Sequence, residues 1–162
     1  MLTFSTHFLF VIRMRLLIAC LGNPMMGDDG VGVAVAGELA KQGYEVVVCG
    51  SDLAPVLARA EEVDALIIVD AVDWGAEPGS ILTAKLEDLE ESRVRASHFL
   101  RVSEVVGLMR EAFGRPSEVY VVGVQPERVE PSTELSPSVR RALGDVTARV
   151  RELVMKLKGD KS

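Results

Sequence analysis

Short unbroken apolar runs alternate along this chain with stretches whose apolar residues recur every three or four positions. Residues 16–22, LLIACLG, form one such run, closed by Gly22-Asn23-Pro24. A run of this kind between turn formers predicts a strand buried on both faces. A turn rich in Gly and Asp follows. Val31, Val35 and Leu39 then recur at helical spacing, with Gly43 as a stop. Residues 44–50 predict a second strand and residues 53–62 a short helix. Residues 64–72, DALIIVDAV, predict a third buried strand ending in acid. Asp73-Trp74-Gly75 and Pro78-Gly79 mark a turn. Residues 80–86 alternate in polarity and predict a fourth strand at a sheet edge, whereas residues 87–101 are polar and irregular. Val102, Val105, Val106, Met109 and Phe113 trace one helical face. Residues 118–124 predict a fifth strand, and Pro126 to Pro131 a loop. Ser136-Pro137 reads as a capped helix start, and Val139, Leu143, Val146, Val150, Leu153 and Leu157 form the stripe of the helix that follows.

The order β-α-β-α-β-β-α-β-α predicts an α/β fold, a mostly parallel sheet covered by helices on both faces. A length of 162 residues suits one domain, expected over 14–158. Residues 1–13 read differently. Their apolar run, Phe8 to Ile12, falls far short of the roughly 20 residues that span a bilayer. Arg13 and Arg15 follow the run instead of preceding it, unlike a signal peptide. These residues are expected to be a non-native or disordered extension, and GDKS at 159–162 a frayed tail.

Composition narrows the function classes. Hydrophobic residues at 48% and charged residues at 26% exclude a largely disordered chain. A net charge of −6 argues against non-specific nucleic-acid binding, which depends on neutralising phosphates. The only cysteines, Cys20 and Cys49, form neither a disulfide framework nor a CxxC pair. Two buried thiols in a reduced cytoplasmic setting are expected, with no nucleic-acid partner and no membrane insertion.

Open α/β sheets bind ligands beyond the carboxyl ends of their strands. The polar residues there are Asp28 and Asp29 after the first strand, Asp70 at the end of the third, and His98 in the loop after the fourth. Two carboxylates and an imidazole make a three-ligand metal site with open positions, diagnostic of no single metal. Each residue also has a plain structural role open to it. Either first-turn aspartate can cap the helix starting near Gly30, and for Asp28 capping is the expectation. Backbone N–H groups can satisfy Asp70, and His98 can be an ordinary loop histidine. The other histidine, His7, lies in the extension, so histidine chemistry in the domain falls to His98. The glycines at 22, 27, 30 and 32 complete neither a Walker loop nor GxGxxG, and paired carboxylates beside them would repel phosphate. Ser97 is adjacent to His98, but neighbours on an extended loop point apart and make no dyad.

The block GNPMMGDDGVG (Gly22 to Gly32) resembles the first motif of the hydrogenase maturation endopeptidases. So do IIVDA (Ile67 to Ala71), ASHFL (Ala96 to Leu100) and VGVQPERVEP (Val122 to Pro131) with Leu135-Ser136-Pro137, in the same order. The resemblance runs from residue 15 to residue 155. It implies a three-layer α/β sandwich around a mostly parallel five-stranded sheet. It also implies a metal triad that is catalytic through the metal: Asp29, Asp70 and His98, the family acid being the second of the two aspartates. Gly27 and Gly30 are expected to turn the backbone tightly and leave room for a bulky substrate. The implied partner is the precursor of a nickel–iron hydrogenase large subunit, whose C-terminal extension is cut off. The implied metal is nickel carried by that precursor, so the free enzyme is expected metal-free. The chain departs from the family where a Gly-Gly turn usually follows the second strand and Cys49-Gly50-Ser51-Asp52 stands here. The competing readings are a non-catalytic nickel adaptor or metallochaperone of the same fold, and a general zinc peptidase. The latter lacks its HExxH motif here.

Overall fold

The computed structural model describes residues 13–92, 94 and 98–159. Five strands form one mixed sheet: β1 (Leu16–Leu21), β2 (Val46–Gly50), β3 (Ala65–Ala71), β4 (Ile81–Lys85) and β5 (Glu118–Val124). Their spatial order is β2-β1-β3-β5-β4. All neighbouring pairs are parallel except β4, which runs antiparallel to β5 at the edge its alternating pattern predicts. The helices are α1 (Val31–Lys41), α2 (Ala54–Leu57), α3 (Leu86–Glu90), α4 (Phe99–Phe113) and α5 (Pro137–Gly159), and a 3-10 turn over Gly27–Gly30 leads into α1.

The period-2 alternation of the central strands divides the core into two layers. Ile18, Cys20, Ile67, Val69, Val122 and Val124 pack with Val35 and Leu39 of α1 and Val146 and Val150 of α5. Leu17, Ala19, Leu66, Ile68, Val119 and Val121 pack with Val56, Leu86, Leu89, Val102, Val106 and Met109 on the opposite face. Each helix layer covers one side of a sheet whose inner strands are apolar on both faces, the three-layer sandwich expected.

Several details differ from the sequence pattern. The stretch read as irregular after β4 holds α3, fastened by buried Leu86 and Leu89; at five residues it is too short for a periodic signal. Helix α4 starts at Phe99, and Phe113 at its far end is 46% exposed, off the buried face. Helix α2 stops after four residues, with Val56 as its buried anchor. Helix α5 buries Ala142, Thr147 and Val154 beside its apolar stripe, and Thr147 Oγ1 donates to the Leu143 carbonyl. It also includes Gly159, the first residue of the expected tail. The rest of that tail, and all of the expected N-terminal extension but Arg13, lie outside the described residues. Among the described residues no helix is long and apolar enough to cross a membrane. Cys20 and Cys49 are both free and buried.

From β1 the chain crosses through α1 to β2, on one side; after β3 it continues to β4 and β5, on the other. The strand order therefore reverses between β1 and β3. The carboxyl ends of these two strands are therefore the switch point, where such sheets bind ligands.

Candidate active site

Asp70 is the next-to-last residue of β3 and is 1% exposed. A buried carboxylate must be paired or hydrogen-bonded, and Asp70 uses both oxygens. Oδ1 accepts the Ala71 N–H at 2.8 Å, and Oδ2 accepts His98 Nδ1–H at 2.8 Å. His98 occupies the N-cap position of α4 without capping it through its side chain; its ring turns to Asp70 instead. In the neutral ring this contact leaves the lone pair on Nε2.

Asp29 comes from the 3-10 turn after β1, and its Oδ2 accepts the Asn23 N–H at 2.8 Å. The turn approaches β3 this closely because residue 22 is glycine. At φ +119°, a Cβ on Gly22 would sit 1.9 Å from the Asp29 carbonyl oxygen and 3.6 Å from Asp70 Oδ1. One ligand atom each from Asp29, Asp70 and His98 falls within 4.8 Å of the other two. Two carboxylates and an imidazole at that spacing fit a divalent transition ion.

The charges in the site act on one another. Burial pushes the Asp70 carboxyl above the usual aspartate range, against the opposing pull of His98. The hydrogen bond to Asp70 raises the His98 imidazole above its ordinary value, and burial opposes it. The cysteines lie outside the cluster. Burial holds the Cys20 thiol up at about 12 and the Cys49 thiol at about 11, so neither supplies a thiolate near neutral pH.

Asp28 corrects the capping expectation. Neither the 3-10 turn nor α1 has a side-chain cap. The Asp28 carboxylate instead accepts four hydrogen bonds from the chain after β5. Oδ2 takes the N–H of Glu127 at 2.8 Å, the N–H of Arg128 at 3.0 Å and the Ser136 hydroxyl at 2.7 Å; Oδ1 takes the Ser136 N–H at 2.7 Å. The spacing of these partners, about a hundred residues on, gave no local signal; the presence of both segments among the family-like blocks was the only clue. Gln125 was missed for the same reason. Its side chain accepts from the N–H groups of Trp74 and Ala76 and donates to Asp73 Oδ1, pinning the turn after β3.

Gly27 and Gly30 are buried within the chain's own packing. A Cβ on Gly27 would lie 2.9 Å from the Arg128 carbonyl oxygen, and one on Gly30 would lie 2.7 Å from Pro24 Cα. The turn after β2 uses a single left-handed residue, Gly50 at φ +42°. The Gly50 carbonyl accepts the Gly22 N–H, and Arg101 of α4 donates to the Ser51 carbonyl. This turn is thereby tied to the end of β1 and to the first turn of α4. Ser97 lies outside the described residues.

A sequence profile described as hydrogenase maturation protease matches residues 33–152. Protein FrxA of Pyrococcus furiosus is 34% identical over 137 residues, covering 82% of this chain and 96% of that protein. The chain belongs to the hydrogenase maturation protease family. Another relative of this maturation protease is the hydrogenase 3 maturation protease of Escherichia coli, 31% identical over 83% of this chain and 87% of its own length. The NiFe hydrogenase maturation protease HybD from Thermococcus kodakarensis superposes with a TM-score of 0.79 at 25% identity, covering 86% of this chain and 99% of its own. The enzyme is a peptide hydrolase with the family's α/β fold, and a carboxylate–carboxylate–imidazole cluster sits at its sheet's switch point.

Proposed function

We propose that this protease removes the C-terminal extension of a nickel-loaded hydrogenase large-subunit precursor, and that Asp29, Asp70 and His98 recognise the nickel the precursor brings. The convergence of these three side chains, from three separate elements, within 4.8 Å is the observation that carries the reading. The donor set contains no thiolate, so it binds nickel weakly on its own and favours metal already held by the substrate. Once engaged, such an ion supplies Lewis acidity toward the scissile carbonyl or the attacking water.

The protein's own residues supply position. Asp70 is a short acid on a buried strand, fixed by Ala71 and His98, and it loses little rotamer freedom on engaging a ligand. Asp29 is fixed by the Asn23 N–H. The segments that carry the site also expose apolar side chains: Met25 two residues after Asn23, Leu100 two residues after His98, and Val129 in the loop held by Asp28. Exposed apolar groups of this kind suit contact with a protein substrate.

Intact-mass measurement of the precursor, with and without nickel, tests the reading. Nickel-dependent loss of a C-terminal peptide, abolished by His98→Ala, is expected. Cleavage that proceeds equally in metal-free precursor, or that survives His98→Ala, would sink the triad assignment.

A further inference from the structure

We infer that Asp28, which the proposed triad does not use, is the positioning residue for Asp29, and that its clasp on the loop after β5 sets the site's affinity for nickel. The inference rests on the triad reading. Asp28 is 1% exposed, and its two oxygens take four donors from Glu127, Arg128 and Ser136. The backbone extends the same attachment. Gly27 N–H donates to the Ser132 carbonyl, Asp28 N–H donates to the Arg128 carbonyl, and Met26 bridges to Ser132. Residues 26–28 are thus zipped to residues 128–132, and Asp29 is the first residue beyond the zipper.

On its other side, Asp29 is held by Gly22, whose α-carbon lies against the Asp29 carbonyl, and by the Asn23 N–H on its carboxylate. The Asp29 oxygen that faces Asp70 and His98 is therefore placed between two attachments, and Asp28 makes one of them. Only an aspartate fits this role. All four of its partners are donors, so an asparagine would turn an NH2 toward at least one N–H. A glutamate would displace the carboxylate by a methylene. Groups that orient metal ligands from behind typically alter affinity by about ten- to a hundredfold when removed.

The test compares Asp28→Asn and Ser136→Ala with two controls. Val146→Ala opens a cavity in the α1–α5 layer and leaves the site untouched. His98→Ala removes a triad member. In the metal-free full chain, hydrogen exchange at the Asn23 amide reads the Asp29 carboxylate directly, because that carboxylate accepts the proton. Asp28→Asn is expected to speed this exchange, and to weaken binding of Ni2+ alone by calorimetry, by about tenfold or more each. Val146→Ala should leave both at the parent value.

A folded Asp28→Asn protein whose Asn23 exchange and nickel affinity match the parent would overturn the inference. Should Asp28→Asn fail to fold, Ser136→Ala loses one of the four bonds and carries the same two readouts; parent-like values there would overturn it equally. Nickel binding that survives His98→Ala refutes the triad instead, and Asn23 exchange then decides the role of Asp28 alone. In precursor cleavage, Asp28→Asn should lower kcat more than it raises KM.

Discussion

The two adjacent aspartates of the first turn face different parts of the molecule. Asp29 turns toward Asp70 and His98, and Asp28 turns away from them into the chain after β5. Local sequence gives both the same preference for a helix start, so the difference between them was not legible in the turn itself. It arises from partners in residues 127–136. The division of labour predicts a particular acid response. Burial opposes the Asp28 charge, but the hydrogen bonds from Arg128, Ser136 and Glu127 outweigh it and hold the pKa below the ordinary range. A depressed folded-state pKa contributes stability above the unfolded-state pKa, and that stability is lost as pH falls through the folded value. Asp28→Asn should therefore cost stability fully at neutral pH, with the gap from the parent closing only below the ordinary aspartate range near 3.9. Urea midpoints at pH 7 and toward pH 3 measure this; a gap that stays constant would contradict the assignment. Gly22 yields a second expectation. Gly22→Ala places a methyl 1.9 Å from the Asp29 carbonyl at a φ that side chains avoid, so backbone must move. A loss of about 3 kcal/mol or more, in the range of severe single changes, is expected in chemical denaturation.

At the scale of elements, the strands were the most legible parts. β1, β3 and β5 are continuous apolar runs buried on both faces, and the residues that end them were readable as candidate site residues because a strand's carboxyl end is where α/β sheets bind. Asp70 was legible on those grounds; the bond that gives it a partner was not, since His98 enters from α4, whose first turn lacks a strong periodic signal. Short α3 was invisible for the same reason. Helix α4 therefore does more than cover the sheet. Its N-cap carries His98, its Arg101 holds the turn after β2, and its Leu100 is 75% exposed between them. If Leu100 meets the precursor, Leu100→Ser forfeits about 1–2 kcal/mol of apolar burial on binding. KM should rise by roughly five- to thirtyfold with kcat retained, because binding energy away from the reacting bond is lost equally from ground and transition states. A fall in kcat with unchanged KM would place Leu100 in the chemistry instead. Asp70→Glu tests the same layer from the strand side. A methylene moves its oxygens well beyond the ~0.5 Å tolerance of a preorganised site, and cleavage should fall even though the charge is kept.

For the whole molecule, the site is a product of folding. Asp29 follows β1, Asp70 ends β3 and His98 opens α4; they are 41 and 28 residues apart in sequence and meet only where the strand order reverses. An unfolded chain offers no equivalent cluster, so any nickel the cluster binds must stabilise the native state by mass action. Free Ni2+ at tenfold over the dissociation constant should contribute about 1.4 kcal/mol. For a chain of this size each kcal/mol moves the melting temperature by roughly 2–4 °C, giving a rise of about 3–6 °C. The comparison with His98→Ala makes the measurement specific. Exposed acids elsewhere on a chain of net charge −6 also attract divalent ions, and their contribution persists in the variant, whereas the increment from the cluster disappears. Mg2+ at the same concentration separates the two again. It prefers octahedral oxygen ligands and gains little from an imidazole, so it should reproduce only the surface contribution. A nickel-induced shift identical in the parent and in His98→Ala would mean that the three side chains, though adjacent, do not act as one site. A larger shift in the parent, absent with Mg2+, would tie the switch-point cluster to the metal through the stability of the fold itself, independently of any cleavage assay.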